Sequence, residues 1–116
     1  MTSEEKGKER TPTSTNPREA TMVVGVLKLQ FQLFGVTSLK EKRKVVKGIV
    51  GRIRSQFDAA AAETGLNDLH QSAEVGVTIV GNDARLINSR LDKIVDAVEA
   101  WGLAVLSGSE MEIIHV

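Results

Sequence analysis

The stretch FDAAAAETG, residues 57–65, decides the fold. Its run of alanines favours continuation of a preceding helix, whereas its polar ends and the following strand's need for a neighbour favour a strand. We read a strand. The segments on either side show what that strand would complete.

Upstream lies SLKEKRKVVKGIVGRIRSQF, residues 38–57. Ser38 followed by Glu41 forms a capping box, in which the hydroxyl accepts from an early helical amide and the carboxylate reaches back. With about 100° between successive residues, Leu39, Val45, Val46, Ile49, Val50, Ile53 and Phe57 fall on one side of the helix. Lys40, Arg43, Lys44, Lys47 and Arg54 form an adjacent basic stripe. Lys42 and Arg52 flank the apolar side and are expected to snorkel, their stems packed and their charged ends in water. Before this helix, MVVGVLKLQFQLF at 22–34 alternates Leu27, Leu29, Phe31 and Leu33 with Val26, Lys28, Gln30 and Gln32. That is the period of a half-buried strand.

Downstream, LNDLHQ at 66–71 reads as a turn, and SAEVGVTIVG at 72–81 alternates Val75, Val77 and Ile79 against Glu74, Gly76 and Thr78. In NDARLINSRLDKIVDAVEAWG, residues 82–102, Leu91, Ile94, Val95, Val98 and Trp101 stand at helical spacing. Asn82 or Asp83 supplies the cap and Gly102 the stop. The closing LAVLSGSEMEIIHV ends in a strand with Met111 and Ile113 inward. The predicted order, β-α-β-β-α-β, is the α+β split arrangement called ferredoxin-like: a four-stranded antiparallel sheet with two helices on one face.

The first 21 residues are polar, aperiodic and hold both prolines. They are expected to form a disordered tail, leaving a single domain over 22–116. No apolar run reaches the roughly 18 residues that suggest a membrane helix, and the start lacks the apolar middle of a signal peptide. A soluble, cytoplasmic protein without a membrane partner is the expectation. The chain has no cysteine and no tyrosine, which removes disulfides, thiolate metal sites and cysteine nucleophiles.

Formal net charge is zero, but its distribution is uneven. Residues 38–54 hold seven Lys or Arg against one Glu, while residues 58–116 hold three basic and ten acidic groups. A neutral chain with segregated charge presents different faces to an anion and to a cation.

The run S-L-K-E-K-R with its helix, together with MVVGVL at 22–27, Glu63, DLHQSAEVGVTIVGND at 68–83 and the final MEIIHV, resembles the YlxP-like family of small bacterial proteins of unknown function. Where this chain has His70, that family usually has Trp. The resemblance spans 22–116 and implies a ferredoxin-like fold with no established activity or cofactor. It also implies a ribosomal or RNA partner, since such genes often neighbour those for translation factors. Members typically begin at the methionine of MVVG, so the tail is an addition or Met22 is the true start.

For catalysis, His70 and His115 are the only imidazoles, expected in surface or packing roles, and Asp68 stands near enough to His70 in sequence to assist a proton transfer. No nucleophile is marked, no Gly-rich phosphate cradle follows the first strand, and FGVTS lacks the arginine that acylphosphatase, an enzyme of this fold, needs there. No catalytic residue, cofactor or metal is therefore assigned. RNA-recognition motifs stack bases on aromatics of the open sheet face; Lys28, Gln30, Gln32, Glu74, Gly76 and Thr78 occupy it here, and Phe31, Phe34, Phe57 and Trp101 are expected mostly at core-facing positions. Two readings lead, with a small-molecule or phosphoester enzyme third. In one, Lys40, Arg43, Lys44, Lys47 and Arg54 bind structured RNA or a ribosomal particle, helped by free amides at the helix start near Thr37, Ser38 and Lys40. In the other, the same helix meets an acidic surface of a protein partner or of another copy in a homo-oligomer.

Overall fold

The computed structural model describes residues 21–67 and 69–116. The expected tail therefore lies outside the described residues apart from Thr21, as does Asp68. The elements are β1 (Val23–Gln32), α1 (Leu39–Phe57), β2 (Ala60–Gly65), β3 (Ser72–Gly81), α2 (Ala84–Trp101) and β4 (Val105–His115). They build one antiparallel sheet in the order β2-β3-β1-β4. Helix α1 packs over β2 and β3, and α2 over β1 and β4, so both helices share one face. This is the ferredoxin-like α+β fold.

The alanine stretch is a strand because the helix before it is stopped. Asp58 adopts a left-handed conformation (φ 52°, ψ 46°) directly after Phe57, a geometry that Asp tolerates better than most residues. The chain reverses, and Ala60 to Glu63 pair with Thr78 to Val75. Alanine's preference for helix is a matter of tenths of a kcal/mol per residue, and the ladder outweighs it.

On the covered face of the sheet, Leu27, Leu29 and Phe31 of β1 and Val75, Val77 and Ile79 of β3 are buried against Val46, Ile49 and Ile53 of α1 and Ile87, Leu91, Ile94 and Val98 of α2. Met111 and Ile113 of β4 pack against this core, as the alternation predicts. Gly25 also faces inward, where a Cβ would overlap Ile87 Cγ2 and stand 2.9 Å from Leu91 Cδ1. Its missing side chain lets α2 sit close to the sheet. Asp83 caps α2, accepting from the amides of Arg85 (3.0 Å) and Leu86 (3.3 Å). Gly102 ends it at φ 66°. Along the seam between the helices, the Arg52 guanidinium lies 5.1 Å from the centre of the Trp101 ring, and Arg90 Nη2 donates to the Phe57 carbonyl at 3.1 Å.

Phe34 departs from expectation. It is 75% exposed, because β1 ends before it and the chain turns at Gly35, whose φ of 83° suits glycine. Phe31 is buried, and Phe57 and Trp101 are half-buried against the core, as expected.

Candidate functional site

The basic stripe takes its direction from the packing of α1. The buried row runs through Lys42, Val46, Ile49 and Ile53. Val45 and Arg52 lie on the side toward α2, so the opposite side turns toward β2 and the edge of the sheet. Lys40, Arg43, Lys44, Lys47 and Arg54 occupy that side and the outward surface, and all five are exposed. Arg43, Lys47 and Arg54, with Val46 and Val50, form one wall of a cleft of about 340 Å³ whose other wall is Ala61, Ala62 and Glu63 of β2. The small side chains of β2 leave this cleft open. Among the described residues, none of the five cations is in an ion pair, and like charges crowded on one flank raise the local positive potential.

Lys42 is a correction to the sequence reading. It does not snorkel but is 1% exposed. Its ammonium donates to the carbonyls of Leu66 (2.5 Å) and Leu69 (2.7 Å) and stands 3.2 Å from Glu63 Oε2. Two carbonyls accept from the ammonium and the Glu63 carboxylate offsets its charge, so the buried cation is compensated inside. Glu63 Oε2 is itself buried and, among the described residues, has no hydrogen-bond partner, only this ionic contact. The position of Lys42 between apolar rows and an acid on the inward face of β2 were the two signals available in the sequence.

The segments that carried the family resemblance thereby meet in space. Residues 38–43 supply the lysine, Glu63 its counter-ion, and the turn before β3 the carbonyls. The same turn is tied to the β1–α1 loop, with Leu33 N donating to Gln71 O at 2.9 Å and Gln71 Nε2 to Val36 O at 3.3 Å. The motif thus fastens two loops at the start of α1 and holds the basic flank in place.

The expected anion site at the start of α1 is already filled. Ser38 Oγ accepts from Glu41 N at 3.1 Å. Glu41 Oε1 accepts from Thr37 N at 2.8 Å and from Thr37 Oγ1 at 3.1 Å. The capping box forms one residue further back than the usual pattern. The Thr37 amide, followed by its hydroxyl, holds the Glu41 carboxyl below its ordinary pKa. A phosphate would have to displace this carboxylate, so the free cations are those along the stripe.

His70 and His115 are both exposed. No group of three or more potential metal-ligating side chains gathers among the described residues, and no described helix is long and apolar enough to cross a membrane. The open face of the sheet carries Lys28, Gln30, Gln32, Glu74, Gly76 and Thr78 as expected, with Lys28 Nζ 3.9 Å from Glu110 Oε1.

Among known proteins, the chain resembles the uncharacterized protein YlxP of Bacillus subtilis (strain 168), with 24% identity over 79 residues covering 68% of this chain and 86% of the relative. Among solved structures, the de novo designed protein Foldit4 superposes with a TM-score of 0.47 at 17% identity, over 82% of this chain and 96% of the design. SnoaB, a cofactor-independent oxygenase from Streptomyces nogalater, gives a TM-score of 0.40 at 16% identity, over 82% and 92%. Superpositions this loose bear on neither activity nor partners. Residues 24–111 match the family described as "Protein of unknown function (DUF503)", and with three quarters of its length inside that match, the chain belongs to this family.

Proposed function

We propose that the protein is a non-catalytic domain that binds structured RNA through the sugar-phosphate backbone, using Lys40, Arg43, Lys44, Lys47 and Arg54. The observation that carries this reading is that five exposed cations spread from the β2-facing side of α1 to its outward surface without an ion-pair partner among the described residues. A solubilising helix face usually intersperses signs and gains i, i+4 pairs. Sequence preference should be slight, because the open sheet face offers amides, a hydroxyl and carboxylates but no aromatic ring for a base to stack on. A ribosomal particle is the RNA partner that the family resemblance suggests.

Filter binding to ribosomal RNA across a salt series tests the reading. Affinity should fall steeply with salt, and neutralising Lys40, Lys44 and Lys47 should flatten the slope by up to roughly 0.7 to 0.9 log units per lost contact. Neutralising Asp92, Asp96 and Glu99 should leave binding intact or improve it. No binding at low salt, or an unchanged slope in the lysine variant, would refute the proposal.

A further inference from the structure

We infer that the protein associates head to tail with further copies of itself, the β2 flank of one copy docking against the β4 flank of the next. This goes beyond the RNA reading and does not rest on it.

Among the described residues, the sheet has two unpaired edges, β2 and β4. Strand β2, on the far side of β3, runs in the same direction as β1, and β4 runs opposite to it. Two copies placed side by side in one orientation therefore bring β4 of the first against β2 of the second as an antiparallel pair. Backbone donors and acceptors that face outward on both edges would then be paired. Strand β4 has 11 residues, long enough to cover the six of β2.

The helices add charge complementarity to this geometry. Helix α1 lies over β2, with Arg43, Lys47 and Arg54 exposed on that flank. Helix α2 lies over β1 and β4, with Arg90 and Trp101 turned toward α1. About 180° away around the helix, Asp92, Asp96 and Glu99 lie on the outward and β4-facing side, and all three are exposed. The side-by-side arrangement places this acidic row beside the basic stripe of the next copy. The strand pair is free of like-charge opposition as well. Glu110 and Glu112 of β4 lie on the open face, where β2 presents Ala60, Ala62 and Thr64. On the covered face, Met111 and Ile113 meet Ala61 and a Glu63 already neutralised by Lys42. The two surfaces belong to different sides of the molecule, so the contact is heterologous and leaves one edge of each kind free after every addition.

Sedimentation velocity on the protein alone, over a concentration series at low and high salt, tests the inference. The wild type should grow beyond two copies at low salt and return to monomer at high salt. The variant Arg43→Gln, Lys47→Gln, Arg54→Gln and the variant Asp92→Asn, Asp96→Asn, Glu99→Gln should each stay monomeric. Mixed, they should form a complex that stops at two copies, because each retains the flank the other lacks. Amide exchange of Ala60–Gly65 in one partner and Val105–His115 in the other should slow in that complex. A wild type that remains monomeric at low salt, a wild type that stops at two copies, a variant that still self-associates, or a mixture that stays monomeric would each overturn the inference. RNA binding is measured separately by filter binding, so either idea can fail alone.

Discussion

Replacing Lys42 with methionine keeps most of the stem and removes the ammonium. The carbonyls of Leu66 and Leu69 lose a charged donor, and Glu63 loses its counter-ion while one of its oxygens stays buried. Breaking a buried pair from one side costs about 3 to 5 kcal/mol. Water can reach part of this site, since the Glu63 side chain is 20% exposed and Leu66 and Leu69 lie at the surface, so the lower end, about 3 kcal/mol, applies. For a domain of this size that corresponds to a fall in melting temperature of roughly 12 to 24 °C, measured by circular dichroism with urea titrations alongside. The double variant Lys42→Met, Glu63→Leu should recover roughly 1 to 2 kcal/mol of the loss, because the stranded carboxylate is gone. It should not reach wild type, since the two carbonyls still lack their donor. A loss under about 1 kcal/mol in Lys42→Met would refute the reasoning, as would single-variant costs that simply add.

Gly25→Ala should destabilise by about 1 to 3 kcal/mol, since its Cβ must push α2 away from the sheet; an unchanged urea midpoint would mean the helix shifts without cost. Ser38→Ala should cost about 1 kcal/mol in the same titration, and Ser38→Gly only a few tenths. Glu41 has a lowered folded-state pKa, so its contribution is present above the ordinary carboxylate range and is lost as pH falls through the lowered value. Glu41→Gln should accordingly melt below wild type at neutral pH and converge with it in acid, and parallel curves would contradict the capping role.

The elements and caps were legible because their signals are local. Strand alternation in β1 and β3, the Ser38–Glu41 spacing, Asp83 and Gly102 each depend on neighbours within a few residues. Lys42 was misread because its partners, Leu66 and Leu69, stand 24 and 27 positions away, and a long cation beside an apolar stripe normally reaches water. The amides at the start of α1 looked free because the same Glu41 that signals a capping box also fills the site where a phosphate would sit. Phe34 continues an apolar run in sequence, and only the turn at Gly35 shows that the strand has ended. Helical spacing gathered the five cations into a stripe, yet the flank they face depends on the order of strands beneath.

Trp101 is the only tryptophan and the chain has no tyrosine, so a single indole emits all the intrinsic fluorescence that matters in practice. It sits where the end of α2 meets Arg52 of α1, a seam whose geometry depends on both helices being docked. Its emission therefore watches the helical layer and is nearly blind to the open side of the sheet. Denaturation followed by this signal, set beside far-ultraviolet ellipticity, would show whether helix docking and sheet formation are lost together or whether the layer peels away first.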